Sequence, residues 1–333
     1  MIDRTVVTAS AGYGFADGVF KKSASFIKFL DKKNRFFTEF SYSDEMGTEQ
    51  KNRKVSDGKN TVSSFLFRDD YRDYRYVKKK SIGFGYNYDQ KLTFKVSGFS
   101  RDESNAANNT EFGIFRGKNG FRVNPAIAEG TFEGIATVLR YADINSTLFV
   151  STESARGGAF QEEFSYNRLY GDIQFLIRPT NFSKLRISLI GGYSDGVTPP
   201  QRWFDFGGKS FLNYYGNLRG VDYRYFAGDK MILGVVDYTF SRSSLFDITN
   251  SLPAWEKIGA WLKVTPWIGF GWSEVSAENR EIAVNLNIPC MTTGGLYSEF
   301  GIGIGDRFNF LRLDVLHSNL SGGAVKFNVN LLK

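Results

Sequence analysis

The sequence predicts an all-β fold, a transmembrane antiparallel β-barrel of about 16 strands, each strand using about 10 residues to cross the bilayer. Three observations predict it. First, aromatic residues make up 16% of the 333 residues, with 32 Phe, 17 Tyr and 35 Gly but only 7 Pro. That is β composition, and membrane barrels use aromatics at both interfaces and Gly where strands kink or approach closely. Second, no run of about 18 apolar residues exists, which excludes a conventional membrane-spanning helix. One of the longest apolar stretches, Met231 to Val236, is interrupted by Gly234. Third, apolar and small or polar residues alternate with period 2 in stretch after stretch, so each strand carries one apolar and one polar face.

The N-terminal 80 residues are the least regular. From Phe65 to Tyr76 the chain carries Arg68, Asp69, Asp70, Arg72, Asp73 and Arg75, which reads as a strand end running into an aqueous loop. Ile82, Phe84, Tyr86 and Tyr88 then share one face, opposite Ser81, Gly83, Gly85, Asn87 and Asp89. Leu92, Phe94 and Val96 alternate with Thr93, Lys95 and Ser97. Leu185, Ile187, Leu189 and Tyr193 oppose Arg186, Ser188 and Ser194. Leu262, Val264, Ile268, Phe270 and Trp272 oppose Lys263, Thr265, Gly269 and Gly271. Leu296, Phe300, Ile302 and Ile304 oppose Tyr297, Glu299, Gly301 and Gly303. The last strand sets Val325, Phe327, Val329 and Leu331 against Lys326, Asn328 and Asn330. No convincing helix stands out. In a soluble sandwich the apolar faces would meet each other; in a membrane barrel they meet lipid and the polar faces line a wet lumen. So much Gly, Asn, Ser and charge on the second face favours the barrel, and closure leaves no unpaired edge in lipid.

The net charge is +7. Basic runs such as Lys21-Lys22 and Lys78-Lys79-Lys80 fall between strand patterns and read as solvated loops and lumen walls rather than a nucleic-acid surface. The lone Cys290 cannot form an internal disulfide. No n-region, h-region or cleavage site follows Met1. The expectation is therefore a fragment, a processed form or a late-start reading frame. Residues 1–333 read as a single barrel domain with no second module.

One segment does not alternate. It reads Phe204-Asp205-Phe206-Gly207-Gly208, then Asn217-Leu218-Arg219-Gly220-Val221, then Phe226-Ala227-Gly228-Asp229-Lys230. A clean strand follows, containing Val236-Asp237-Tyr238. Further on come Glu299-Phe300-Gly301-Ile302-Gly303-Ile304 and Leu311-Arg312-Leu313-Asp314-Val315. This ordered set resembles the C-terminal barrel of the BamA-type insertase and translocase superfamily, the bacterial surface antigen family. The match runs over about residues 184–333 and is vague before that.

The resemblance implies a long loop near residues 204–230 that folds into the barrel. Its Arg219 would be a latch, with Gly220 permitting a tight turn and Asp237 as the acidic partner on the inner wall. A guanidinium fork suits a carboxylate in a partly desolvated lumen. Two departures imply a weaker latch, or Glu299 or Asp314 as substitute partners. Val221 stands where the family has an aromatic, and Gly269 where it has a second acid. Gly323, Phe327, Val329 and Leu331 resemble a terminal insertion signal, although the chain ends Leu332-Lys333 instead of on an aromatic. The same residues also read as a plain lipid-facing strand.

Catalytic chemistry is not expected. His317 is the only histidine, and its neighbour Ser318 falls on the opposite strand face, so the pair cannot act together. No Cys or His set suits a metal, no spaced carboxylate pair stands out, and Gly301 to Gly305 is not followed by a helix as a phosphate loop would be. No cofactor is implied. The resemblance implies an integral bacterial outer-membrane protein that assembles, inserts or translocates proteins. Its partners would be the lipid bilayer, client β-barrels and accessory periplasmic or lipoprotein subunits, with no nucleic acid. The alternatives are a membrane-anchor barrel for an upstream enzymatic or binding module, and a small-solute pore.

Overall fold

The computed structural model describes residues 4–14, 18–47, 57–68, 70, 72–106, 113–115, 121, 123–159, 162–180, 183–208, 218–222, 225–240, 262–286, 291–306, 311–321 and 325–331. The strands are β1 (Thr5–Gly14), β2 (Val19–Phe29), β3 (Phe36–Gly47), β4 (Arg75–Tyr88), β5 (Leu92–Asn105), β6 (Gly130–Ala142), β7 (Ser146–Ala159) and β8 (Glu162–Thr180). They continue with β9 (Ser183–Val197), β10 (Phe204–Phe206), β11 (Phe226–Gly228), β12 (Lys230–Phe240), β13 (Leu262–Glu274), β14 (Tyr297–Asp306), β15 (Leu311–Ser318) and β16 (Val325–Leu331).

Fourteen strands form one antiparallel sheet in chain order, from β1 at one edge to β16 at the other. Among the described residues the remaining two, β10 and β11, pair only with each other. Among the described residues no pairing joins β1 to β16. The 14 strands of the main sheet stand at the lower edge of the expected about 16, two either way, which allowed each strand about 10 crossing residues. The shortfall comes from dividing length evenly. The connections 48–74, 106–129, 198–229, 241–261 and 275–296 absorb residues that even spacing assigned to strands. Four of these five leave the same end of the sheet, while 241–261 leaves the other, together with the short connections 89–91, 143–145, 181–182 and 307–310.

Two helices also correct the sequence reading: α1 (Asp57–Phe67) and α2 (Ala277–Asn285). Both are short and lie in long connections. Residues 57–67 belong to the stretch expected to be least regular; of the charged run after it, Arg68, Asp70, Arg72 and Asp73 precede β4 and Arg75 opens it. In α2 only Asn279, Ile282 and Ala283 are buried, so no long apolar stripe marked it.

The alternation holds in the register. Phe26, Phe40, Ile82, Ile135, Leu189, Ile232, Ile268, Phe300 and Ile302 all point outward and remain exposed. A continuous apolar surface of this extent is not stable in water and suits hydrocarbon. Leu296, expected on a strand, lies just before β14 and is exposed. The opposite face differs from expectation. Around β8, β9 and β12 to β14 it is a dry core, where Phe204, Phe206, Leu218, Val221 and Phe226 from the 198–229 connection pack on Tyr170, Ile190, Met231, Leu233, Val235 and Tyr297. This explains Met231 to Val236: the strand is apolar on both faces because one meets the outer surface and the other meets the loop.

Candidate functional site: the buried arginine of the 198–229 loop

The loop follows β9 and returns to β12 after the β10–β11 ribbon. Aromatic residues seat it. The Phe204 ring stacks on Tyr170 with centroids 6.2 Å apart, and Phe206 packs on Phe226 at 5.2 Å. Glycines on the wall make room for these rings. A Cβ on Gly192 would lie 2.6 Å from the Phe204 ring, and one on Gly271 would lie 2.6 Å from the Phe206 ring. The small residues of the inner strand faces are thus landing places for loop side chains.

With the loop seated, Arg219 is fully buried, at 0% exposure. Its guanidinium donates to Asp237 Oδ1 on β12 and lies 4.0 Å from Asp314 Oδ1 on β15. The guanidinium carbon sits 4.3 Å from the centre of the Trp267 ring on β13, within cation–π range. Arg312 in turn donates to Asp314 at 2.8 Å. Glu299 on β14 acts on the backbone. It accepts the Arg219 N–H and the Gly220 N–H, each at 2.6 Å. It also accepts the Tyr297 hydroxyl at 2.6 Å. Strands β12 to β15 are consecutive in the sheet, so adjacent strands surround one arginine with three carboxylates and an indole.

Every sequence-predicted latch residue lies in this cluster: Arg219, Gly220, Asp237, Glu299 and Asp314. The role of Gly220 differs from expectation. Its φ is not in the left-handed region, so the turn does not demand glycine. Space does, since a Cβ there would lie 2.6 Å from Glu299 Oε2 and 2.7 Å from the Tyr297 hydroxyl. Val221 is buried in the dry core, and a Cβ on Gly269 would lie 2.9 Å from Leu218 Cδ2. Both departures from the family pattern are therefore packing positions. Of the C-terminal set, Gly323 lies outside the described residues; Phe327, Val329 and Leu331 lie on β16, in register with Val315, Leu313 and Leu311. His317 pairs in register with Phe300, its ring centroid 5.3 Å from that of Phe300.

Sequence reasoning missed Trp267, Arg312 and a polar buckle over the loop's two roots. In the buckle, Asn279 of α2 accepts the Thr198 N–H at 2.8 Å and donates to Asp229 at 2.5 Å. Asp229 also accepts from the Ser276 N–H and hydroxyl. Thr198 opens the loop and Asp229 ends it, so one buried asparagine ties both roots. An undetected helix hid it. Among the described residues no cluster of His, Cys, Asp or Glu could hold a metal ion.

No protein-family model matches the sequence. No curated protein matches it either. Solved structures do. BamA from Haemophilus ducreyi, in a structure lacking POTRA domains 1–3, superposes with a TM-score of 0.51 at 11% identity, covering 98% of this chain and 69% of that one. CdiB from Acinetobacter baumannii gives 0.44 at 12% identity, covering 99% of this chain and 53% of that one. CdiB from Escherichia coli gives 0.41 at 12%, covering 98% and 55%. This chain therefore spans little more than half of each CdiB chain. At 11% identity the likeness to BamA is one of architecture, and on that footing the chain carries the BamA-type barrel fold.

Proposed function

We infer that this chain is an integral outer-membrane β-barrel that assembles, inserts or translocates other proteins, with Arg219 latching its inward loop. The observation that carries the reading is the burial of a loop arginine among Asp237, Asp314 and Glu299. A charge-only plug would not need such a seat. Burying an arginine in a dry wall costs several kcal/mol unless carboxylates and hydrogen bonds surround it, so this arrangement fits a loop held in one registered position. The outward apolar face supports a lipid setting. Four of the five long connections leave one end, which fits the usual barrel asymmetry with the long-loop end facing outside, and 241–261 is the exception at the other end.

In this reading β1 and β16 form a seam that opens to template client strands by edge pairing. The partners are lipid, client β-barrels and accessory subunits, and no catalytic step is assigned to the chain. The test is a seam lock. Cysteines placed on β1 and β16 in a Cys290→Ser background are oxidised in native membranes, and insertion of a reporter barrel is followed. Loss of insertion that returns on reduction is expected. Undiminished insertion with the cross-link formed would sink the assembly reading.

A further inference from the structure

The first root of the loop carries an ionic cluster of its own, on the opposite side of the sheet sequence from the Arg219 seat. Arg202 ends the short 3-10 turn Pro200–Arg202 and is 5% exposed. Its guanidinium pairs with Glu103 Oε1 on β5 and lies 3.8 Å from Glu153 on β7. Arg101 reaches both acids, at 2.7 Å to Glu103 and 3.1 Å to Glu153. Arg75 lies 3.5 Å from Glu103, and the Tyr166 hydroxyl donates to Glu153 at 2.5 Å. Gln201 donates to Glu103 at 3.1 Å and to the Ala128 carbonyl at 2.8 Å. It also accepts the Ala128 N–H at 3.0 Å.

We propose that Arg202 and Gln201 form a second anchor, holding the loop to the β5–β7 wall while Arg219 holds it to β12, β14 and β15. The proposal rests on the reading above that Arg219 latches the inward loop. The loop is then a crossbar fastened at both ends. Three arginines and two glutamates, brought together from β4, β5, β7 and the loop, are not needed for sheet pairing. A buried ion cluster adds little net stability but is costly to break by halves, so its effect is to fix one geometry. Because the anchors sit on separate groups of strands, β5 and β7 against β12, β14 and β15, their contributions to loop release combine as independent terms.

The test is open probability in planar bilayers, measured on the full chain with Arg202→Gln, Arg219→Gln and the double variant. Each single change should raise open probability about 5- to 100-fold, the range of a typical coupling between sites, and the double by roughly the product. Arg202→Lys in the Arg219→Gln background should reverse most of the double variant's gain. A heat-modifiable band shows that each variant is folded; Glu153→Gln, which weakens the same anchor from the wall, replaces any that is not. Arg202→Gln and Glu153→Gln that leave opening unchanged in both backgrounds would overturn the second anchor. Client insertion is read separately: multiplicative gating in a protein that inserts no client would defeat the assembly reading and leave the anchor standing.

Discussion

Replacing Glu299 by glutamine probes the seat most sharply, because it changes charge and acceptor count without changing shape. Glu299 is 1% exposed. One carboxylate oxygen accepts the Arg219 N–H at 2.6 Å, and the other accepts the Gly220 N–H and the Tyr297 hydroxyl, each at 2.6 Å. A carboxylate accepts at both oxygens, whereas an amide accepts at one. The Tyr297 hydroxyl can rotate to accept from the new NH2. A backbone N–H cannot, so at least one of the two loop amides is left facing a donor. An unsatisfied buried donor costs about 1–3 kcal/mol, and loss of charge assistance brings the sum to about 2–4 kcal/mol. At 1.4 kcal/mol per tenfold, that releases the loop roughly 30- to 700-fold more often. The assay is protease cleavage of the loop in lipid-embedded protein, which tracks the open population when reclosing is fast. A heat-modifiable band confirms that the sheet is intact. Cleavage within about threefold of wild type would refute the role given to Glu299, whatever Arg219 does.

Three further outcomes follow from the same structure. Gly220→Ala should loosen the loop by about 1–3 kcal/mol, because its Cβ would press on Glu299 Oε2 at 2.6 Å and the Tyr297 hydroxyl at 2.7 Å, atoms that hold each other in place; loop protection equal to wild type would count against the packing account. Asn279→Ala removes the partner shared by Thr198 and Asp229 and should cost about 2–4 kcal/mol locally, read as faster hydrogen exchange at the Thr198 amide with β12 unaffected. Ile302→Lys puts a charge on the outward face, where Ile302 is 50% exposed, and should lower folding into vesicles by about 2–4 kcal/mol near the bilayer midplane. The inward Ser25→Lys should fold normally, and equal penalties at the two sites would contradict the assignment of faces.

The polarity of the faces was legible residue by residue. Ile82, Leu189, Ile268 and Ile302 stand outward as their alternation required, because a strand's period of 2 is a local property of the backbone. The helices were not legible. In α2 the serine at its start, Ser276, bonds Asp229 instead of capping the helix, and only one side of nine residues is buried. The association of Arg219 with Asp237 was readable only through the resemblance to a known family, since nothing in an Arg-Gly pair reports what it touches.

What the sequence by itself determined is therefore the class of solvent each face meets: an apolar outward surface and a small, polar inward one, with the one non-alternating stretch at residues 204–230 marked as something other than wall. What only the tertiary structure decided is how that inward face is used. Gly192, Gly271 and Ser188 look like lumen-lining positions in sequence, yet the loop's rings and aliphatic side chains turn part of the lumen into a dry core. Glu299 works as a backbone acceptor, and Arg202 reaches from the loop's first root to Glu103 on β5. These pairings join residues some 80 to 100 positions apart in the chain. Local periodicity carries no information about such partners; they meet only once the sheet has curved and the loop has entered it.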